Sequence, residues 1–194
     1  MRELELKAVV DDLDGARKRL EKAGATLTFA GKMSDRRYDV ESREIAGRDE
    51  VLRVRRYQSS TSSTAYIDWK GPTEIQDVYK VREEVSTLVE DFDSLEQILT
   101  RLGFVVTMEI DRDVVQYALG GATIRFETYP RMDMLVEVEG EPDAIESAIE
   151  TLAIARGQFC TDRLPTFVAR FEQRTGVRAA ICDREMEGDY RFRP

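Results

Sequence analysis

Polar and apolar residues alternate along most of this chain. In residues 2–9, Glu3, Glu5 and Lys7 take turns with Leu4, Leu6 and Ala8, a period of two that predicts a β-strand with one polar and one apolar face. The same period predicts strands over residues 33–40, 51–58, 65–70, 78–87, 105–119, 122–128 and 134–139. Gly71-Pro72 stops the fourth strand, and Gly120-Gly121 is a hairpin signal between the sixth and seventh. Helices are predicted over residues 12–23, 94–102, 142–153 and 166–174. The first carries the apolar stripe Leu13, Ala16, Leu20 and Ala23 and stops at Gly24; the second is capped by Asp93 or Ser94 and ends at Gly103. Residues 42–50 read as a polar loop, 59–64 as a turn of Ser and Thr, and 185–194 as a loosely held polar tail. About eight strands and a few helices define an α+β fold dominated by antiparallel sheet.

The charges sort into rows. Glu3, Glu5 and Lys7 share one face of the first strand, because side chains two apart point the same way. Arg53 with Arg55, Asp68 with Lys70, Lys80 with Arg82 and Glu84, Arg125 with Glu127, and Glu137 with Glu139 do the same, and Arg112 sits on the sixth strand. A single such row reads as the wet side of a sheet. Together the rows admit a second reading, in which the strands close into a barrel and the charges point inward. Arg and Lys clamp phosphate oxygens, and Glu carboxylates hold a hard cation such as Mg²⁺ or Mn²⁺. Neither set tolerates burial alone, so a polyphosphate with a divalent metal would satisfy both.

Composition narrows the choice. The chain has 194 residues, which suits one domain with a short appendage, and 42% are hydrophobic, enough for a sizeable core. A net charge of −9 argues against a nucleic-acid binder. The N-terminal charges do not read as a signal peptide, and no run of about 18 apolar residues predicts a membrane span, so a cytoplasmic protein is expected. Cys160 and Cys182 form no disulfide framework or zinc motif. There is no histidine, which removes the usual general base and the Ser-His-Asp triad. Catalysis would run on carboxylates, Lys, Arg, Tyr, bound metal or water.

The opening Glu3-Leu4-Glu5-Leu6-Lys7 resembles the E-x-E-x-K signature of the CYTH superfamily, the triphosphate tunnel metalloenzymes. Later motifs follow in the same order: Leu52-Arg53-Val54-Arg55, Trp69-Lys70-Gly71-Pro72, Arg82-Glu83-Glu84, Leu102-Gly103-Phe104 and Val136-Glu137-Val138-Glu139-Gly140. The resemblance covers residues 1–155 and leaves 156–194 as a C-terminal helical extension packed on the same domain. It implies an eight-stranded antiparallel β-barrel, the triphosphate tunnel, with flanking helices. It also implies an enzyme hydrolysing a nucleoside triphosphate, thiamine triphosphate or tripolyphosphate. The alternatives are a class IV adenylyl cyclase making cyclic AMP and pyrophosphate from ATP, or a non-catalytic polyphosphate-binding module.

Carried over by position, Glu3, Glu5, Glu137 and Glu139, with Glu127, are the implied metal ligands. Lys7, Arg53, Arg55, Lys70, Arg82, Arg112 and Arg125 are the implied triphosphate cradle, and Glu84 could orient a basic residue. Of these, Glu5, Lys7, Arg53, Arg55, Lys70, Glu137 and Glu139 are the implied catalytic set. Two departures stand out. The sixth strand of the family carries K-x-R, and here Ile110 stands at the Lys position; Glu127 stands where many members have Asp. One cation is therefore missing or supplied from elsewhere. The segment Asp35-Arg36-Arg37-Tyr38-Asp39 resembles the family's second strand but reads equally as a surface strand. Trp69 is expected in the core. The expected partner is a small triphosphate, without nucleic acid or membrane; a homodimer is left open, since dimers are common among related proteins.

Overall fold

The computed structural model describes the backbone of residues 2–193 and the side chains of residues 4–193. Its strands are β1 (Arg2–Val9), β2 (Thr26–Asp39), β3 (Val51–Gln58), β4 (Ser63–Lys70), β5 (Glu74–Gln76), β6 (Tyr79–Val89), β7 (Val105–Leu119), β8 (Ala122–Thr128) and β9 (Leu135–Glu139). Its helices are α1 (Leu13–Lys22), α2 (Glu44–Gly47), α3 (Phe92–Arg101), α4 (Pro142–Leu152), α5 (Leu164–Thr175) and α6 (Asp183–Met186). All pairings are antiparallel, in the order β1-β9-β8-β7-β2-β3-β4-β6, and β6 pairs back onto β1. This closes an eight-stranded barrel, with β5 as a short extra strand on β6. A closed barrel has no exposed edge strands.

The barrel is inside out relative to an ordinary sheet protein. The outward residues of β1, β8 and β9, among them Leu6, Ile124, Val136 and Val138, form the main apolar core with Leu20 of α1 and Ile145 and Leu152 of α4. On the other side, Tyr38, Val54 and Leu99 of α3 form a smaller cluster. The helices thus take the apolar faces and leave the charged rows to the interior. Local signals agree: the Asp12 carboxylate accepts the Gly15 N–H at 2.9 Å to cap α1. Gly120 and Gly121, at φ +56° and +89°, make the positive-φ turn joining β7 to β8.

Several expectations are corrected. β2 starts at Thr26 rather than 33, because its pairing with the long β7 extends to Ala118. A helical turn, α2, interrupts the expected loop, anchored by Asp39, whose carboxylate accepts the N–H groups of Ile45 and Ala46. The cap of α3 is Asp91, accepting the Ser94 N–H, rather than Asp93 or Ser94. Trp69 lies half-buried on the outer face of β4, where its indole N–H donates to Glu50. The tail is not loose over residues 185–193. Glu185 is 3% exposed, accepts the Ile181 N–H at 2.7 Å and pairs with Arg193.

Residues after 157 close one end of the barrel. Cys160 bridges to Lys7 on β1, and Ala180 bridges to Arg131. Phe167 and Val168 of α5 pack with Ile181 against Ile110, Tyr129 and Leu135. Ile110 and Leu135 share their strand faces with Arg112 and Glu137, so this apolar plug meets the lower end of the inward face.

Candidate active site

The inward face holds charges at near-complete burial. Glu5, Lys7, Asp35, Arg53, Arg55, Asp68, Arg112, Arg125, Glu127 and Glu137 are all buried, and they come from seven strands. Glu5 pairs in register with Glu139, and Lys7 with Glu137. This register sets one oxygen from each of Glu5, Glu137 and Glu139 within 4.8 Å of one another. Three carboxylates at that spacing fit a hard divalent ion, whose ligands are oxygens. The Lys7 ammonium bonds Glu137 and lies 3.1 Å from Glu5, and Lys80 bonds Glu5. Arg125 donates to Glu137 at 2.6 Å and to Glu139 at 3.3 Å. Each of these carboxylates thus meets a basic group, as buried charge requires. A cation added on the carboxylates and an anion added on the cations would keep that balance.

Asp35 organises the opposite wall. It is 2% exposed and accepts Arg55 Nε at 2.7 Å, Arg55 Nη2 at 2.9 Å and Arg112 Nη2 at 3.0 Å, with Arg53 3.8 Å away. Burial alone would raise its carboxyl pKa. Arg112, Arg55 and Arg53 outweigh that and hold it well below the usual carboxylate range. Glu127 behaves alike. Burial opposes its charge, but Arg112, Lys7 and Arg125 pull its pKa down to about 2. Its oxygens accept Arg112 Nε at 2.8 Å and the Tyr129 hydroxyl at 2.6 Å. Glu127 therefore stands outside the three-carboxylate group and orients Arg112. Arg53 donates to Asp68 at 2.6 Å and to Glu84 at 3.3 Å, and Lys70 lies 3.0 Å from Glu84. Lys80 has its pKa lowered, chiefly by burial and then by Lys7 and Lys70, although Glu5 opposes this.

The sequence-predicted residues thus converge, with specific exceptions. Arg82 lines the cavity, but its Nε and Nη2 donate to the carbonyls of Gly71 and Asp49, which leaves it partly a structural tie. The Glu3 side chain lies outside the described residues; its backbone is in register with Arg82. Asp35, Arg37, Asp68 and Lys80 belong to the site without having been assigned to it. Asp35, Arg36 and Arg37 are charged in succession, so alternation could not say which face was inner. The structure turns Arg36 outward, 2.9 Å from Asp111, and Arg37 inward.

The interior divides into two connected parts that share Arg53, Arg55 and Arg125. The deeper part, about 260 Å³, is lined by most of the charges and, from α5, by Leu164 and Pro165. The mouth, about 1020 Å³, opens at the other end and is walled by Phe29, Tyr57 and Tyr66. Phe29 and Tyr57 meet edge-on at 5.2 Å between ring centres, and Tyr57 and Tyr66 at 6.1 Å.

Fold and site together define an antiparallel barrel whose charged bore suits a polyanion with a divalent cation. The model of the CYTH domain matches residues 1–157, and the chain belongs to that family. A Methanocaldococcus jannaschii protein, provisionally named an adenylate cyclase, is 30% identical over 104 residues; the match spans 54% of this chain and 57% of that protein's length. A Pyrococcus horikoshii structure matches 87% of this chain and 98% of its own at a TM-score of 0.69 and 22% identity. A Hippeastrum structure, described as a provisional adenylyl cyclase with a dominant triphosphatase activity, matches 89% of this chain and 95% of its own at a TM-score of 0.61 and 13% identity. The structural likenesses establish the fold. No described helix is long and apolar enough to cross a membrane.

Proposed function

We propose that this protein is a metal-dependent triphosphatase acting on triphosphates that carry an organic head group. The observation that carries the reading is the juxtaposition of Glu5, Glu137 and Glu139 with Lys7, Lys80 and Arg125 in one buried bore. Glu5, Glu137 and Glu139 would hold Mg²⁺ or Mn²⁺. When bound, the ion neutralises charge on the phosphoryl oxygens and polarises them.

The chain's own residues do the rest. Lys7, Arg53, Arg55, Lys70 and Arg125 line the bore and hold the phosphate chain in one orientation, which lowers the entropic part of the barrier. Their charges stabilise what builds up on the leaving oxygen, and burial strengthens them. Asp35 and Glu127, kept ionised and filled with hydrogen bonds, position arginines and do not accept a proton. The aromatic wall of the mouth supports an organic head, since flat rings stack on aromatic faces and a mouth of about 1020 Å³ exceeds what a phosphate chain needs.

The same wall favours a second reading, a class IV adenylyl cyclase, in which the ribose 3′-hydroxyl of ATP replaces water as nucleophile. The name of the archaeal relative agrees with it. One assay separates the readings. Purified protein is incubated with ATP, thiamine triphosphate and tripolyphosphate, each with Mg²⁺ or Mn²⁺, and all products are resolved. Orthophosphate release, lost in the double variant Glu137→Gln, Glu139→Gln, is the expected result. Cyclic AMP with pyrophosphate makes the protein a cyclase. Tight binding without turnover makes it a binding module.

A further inference from the structure

Among the described residues, the deeper part of the bore is lined by more bases than acids. Asp35 serves Arg53, Arg55 and Arg112 at once. Two residues further along β2, Arg37 points into the same space. Its Nε is sealed from solvent and has no hydrogen-bond partner, and Nη1 of Arg112 is in the same condition. No acid lies within ion-pair distance of Arg37 among the described residues. Burial, with Arg53, Arg82 and Arg112 nearby, lowers its pKa to about 10 against the pull of Asp35, so it stays charged at neutral pH.

A partly buried guanidinium with no acid beside it is a costly arrangement. Arg37 and Arg112 both line this cavity, and among the described residues no acid pairs with Arg37, so the cavity offers positive charge to an anion from outside the chain. The position also fits the local sequence. Ile110 lies opposite Asp35 in the β2–β7 register, so β7 supplies no cation at that level. Arg37, opposite Met108, is the next inward residue of β2. The cavity there, about 260 Å³, has room for a phosphoryl group.

We propose that Arg37, with Arg112, forms a phosphoryl subsite in the deeper part of the bore and takes the terminal phosphate of the substrate, replacing from β2 the cation that Ile110 withholds on β7. This rests on the triphosphate reading above and narrows it.

Calorimetric titration with tripolyphosphate, and thermal unfolding with and without it, test the assignment in the wild type, Arg37→Gln and Arg37→Lys. In Arg37→Gln, affinity for tripolyphosphate is expected to fall about ten- to a hundred-fold, the loss expected for charge-assisted hydrogen bonds. The unliganded variant should unfold at a higher temperature than wild type, because an unpaired buried charge is gone. Its rise on adding tripolyphosphate should be smaller. Arg37→Lys should regain part of the affinity. Unchanged affinity in Arg37→Gln overturns the subsite alone. Failure of that variant to fold, or a lower unliganded unfolding temperature, makes Arg37 a structural residue and also overturns it. No binding by the wild type overturns the triphosphate reading as well.

Discussion

At the scale of single residues, the bore depends on acids that hold bases in place. Asp35 is the extreme case, with three arginines on one carboxylate. Removing one partner of a buried ion pair typically costs about 3–5 kcal/mol, because the other charge is left uncompensated. Asp35→Asn should therefore lower stability by about that amount in urea unfolding, and tripolyphosphate should restore much of the loss by supplying the missing negative charge. Glu127 gives a pH prediction. Its pKa is about 2 in the folded chain, against roughly 4.3 for an ordinary Glu in the unfolded one. A depressed folded pKa contributes stability that is full above the unfolded value and is lost as pH falls through the folded one. Asp35 acts in the same direction. Unfolding midpoints should thus fall between about pH 4.5 and pH 2, with Glu127 contributing on the order of 3 kcal/mol of the change. The loss should be smaller in Glu127→Gln.

At the scale of elements, the barrel depends on close strand contact and on its plug. Gly31 of β2 leaves no space for a side chain, since an added Cβ would lie 2.2 Å from the Gln58 carbonyl oxygen of β3. Gly31→Ala should separate the β2–β3 pair near the aromatic mouth. It is expected to cost about 1–3 kcal/mol, as overpacking does, and to weaken organic triphosphates more than tripolyphosphate. Phe167 of α5 is 3% exposed in the cluster that closes the other end. Phe167→Ala should cost about 3–5 kcal/mol. The loss should show as a lower urea midpoint.

At the scale of the whole molecule, the barrel gathers acids and bases in one bore, and a bound polyanion would pair with the bases that the acids leave over. Ligand binding should therefore be read out strongly in stability. At a tripolyphosphate concentration a hundred times its dissociation constant, the folded state should gain about 2.7 kcal/mol, a rise in unfolding temperature of several degrees by scanning calorimetry. Added salt should weaken binding only modestly, because buried charges are screened less than surface ones.

Much of this was legible in the chain itself. Strict alternation in Glu3-Leu4-Glu5-Leu6-Lys7 and Leu52-Arg53-Val54-Arg55 put each charge on a definite strand face, because period two is a property of the backbone. The apolar partners of those charges and the stripe on α1 are consistent with a core on the outer surface of the barrel, which the structure shows. Alternation could not decide where every residue is charged, as at Asp35-Arg36-Arg37, since either face could then be the inner one. Nor could it show that one carboxylate would serve three arginines, or that Glu127 would orient Arg112 instead of joining Glu5, Glu137 and Glu139. The tail was misjudged for a related reason. Glu185 and Arg193 are polar in composition, and only packing turns one into a buried partner of the other. These choices depend on which strands become neighbours, and so on contacts far apart in sequence that exist only once the barrel closes.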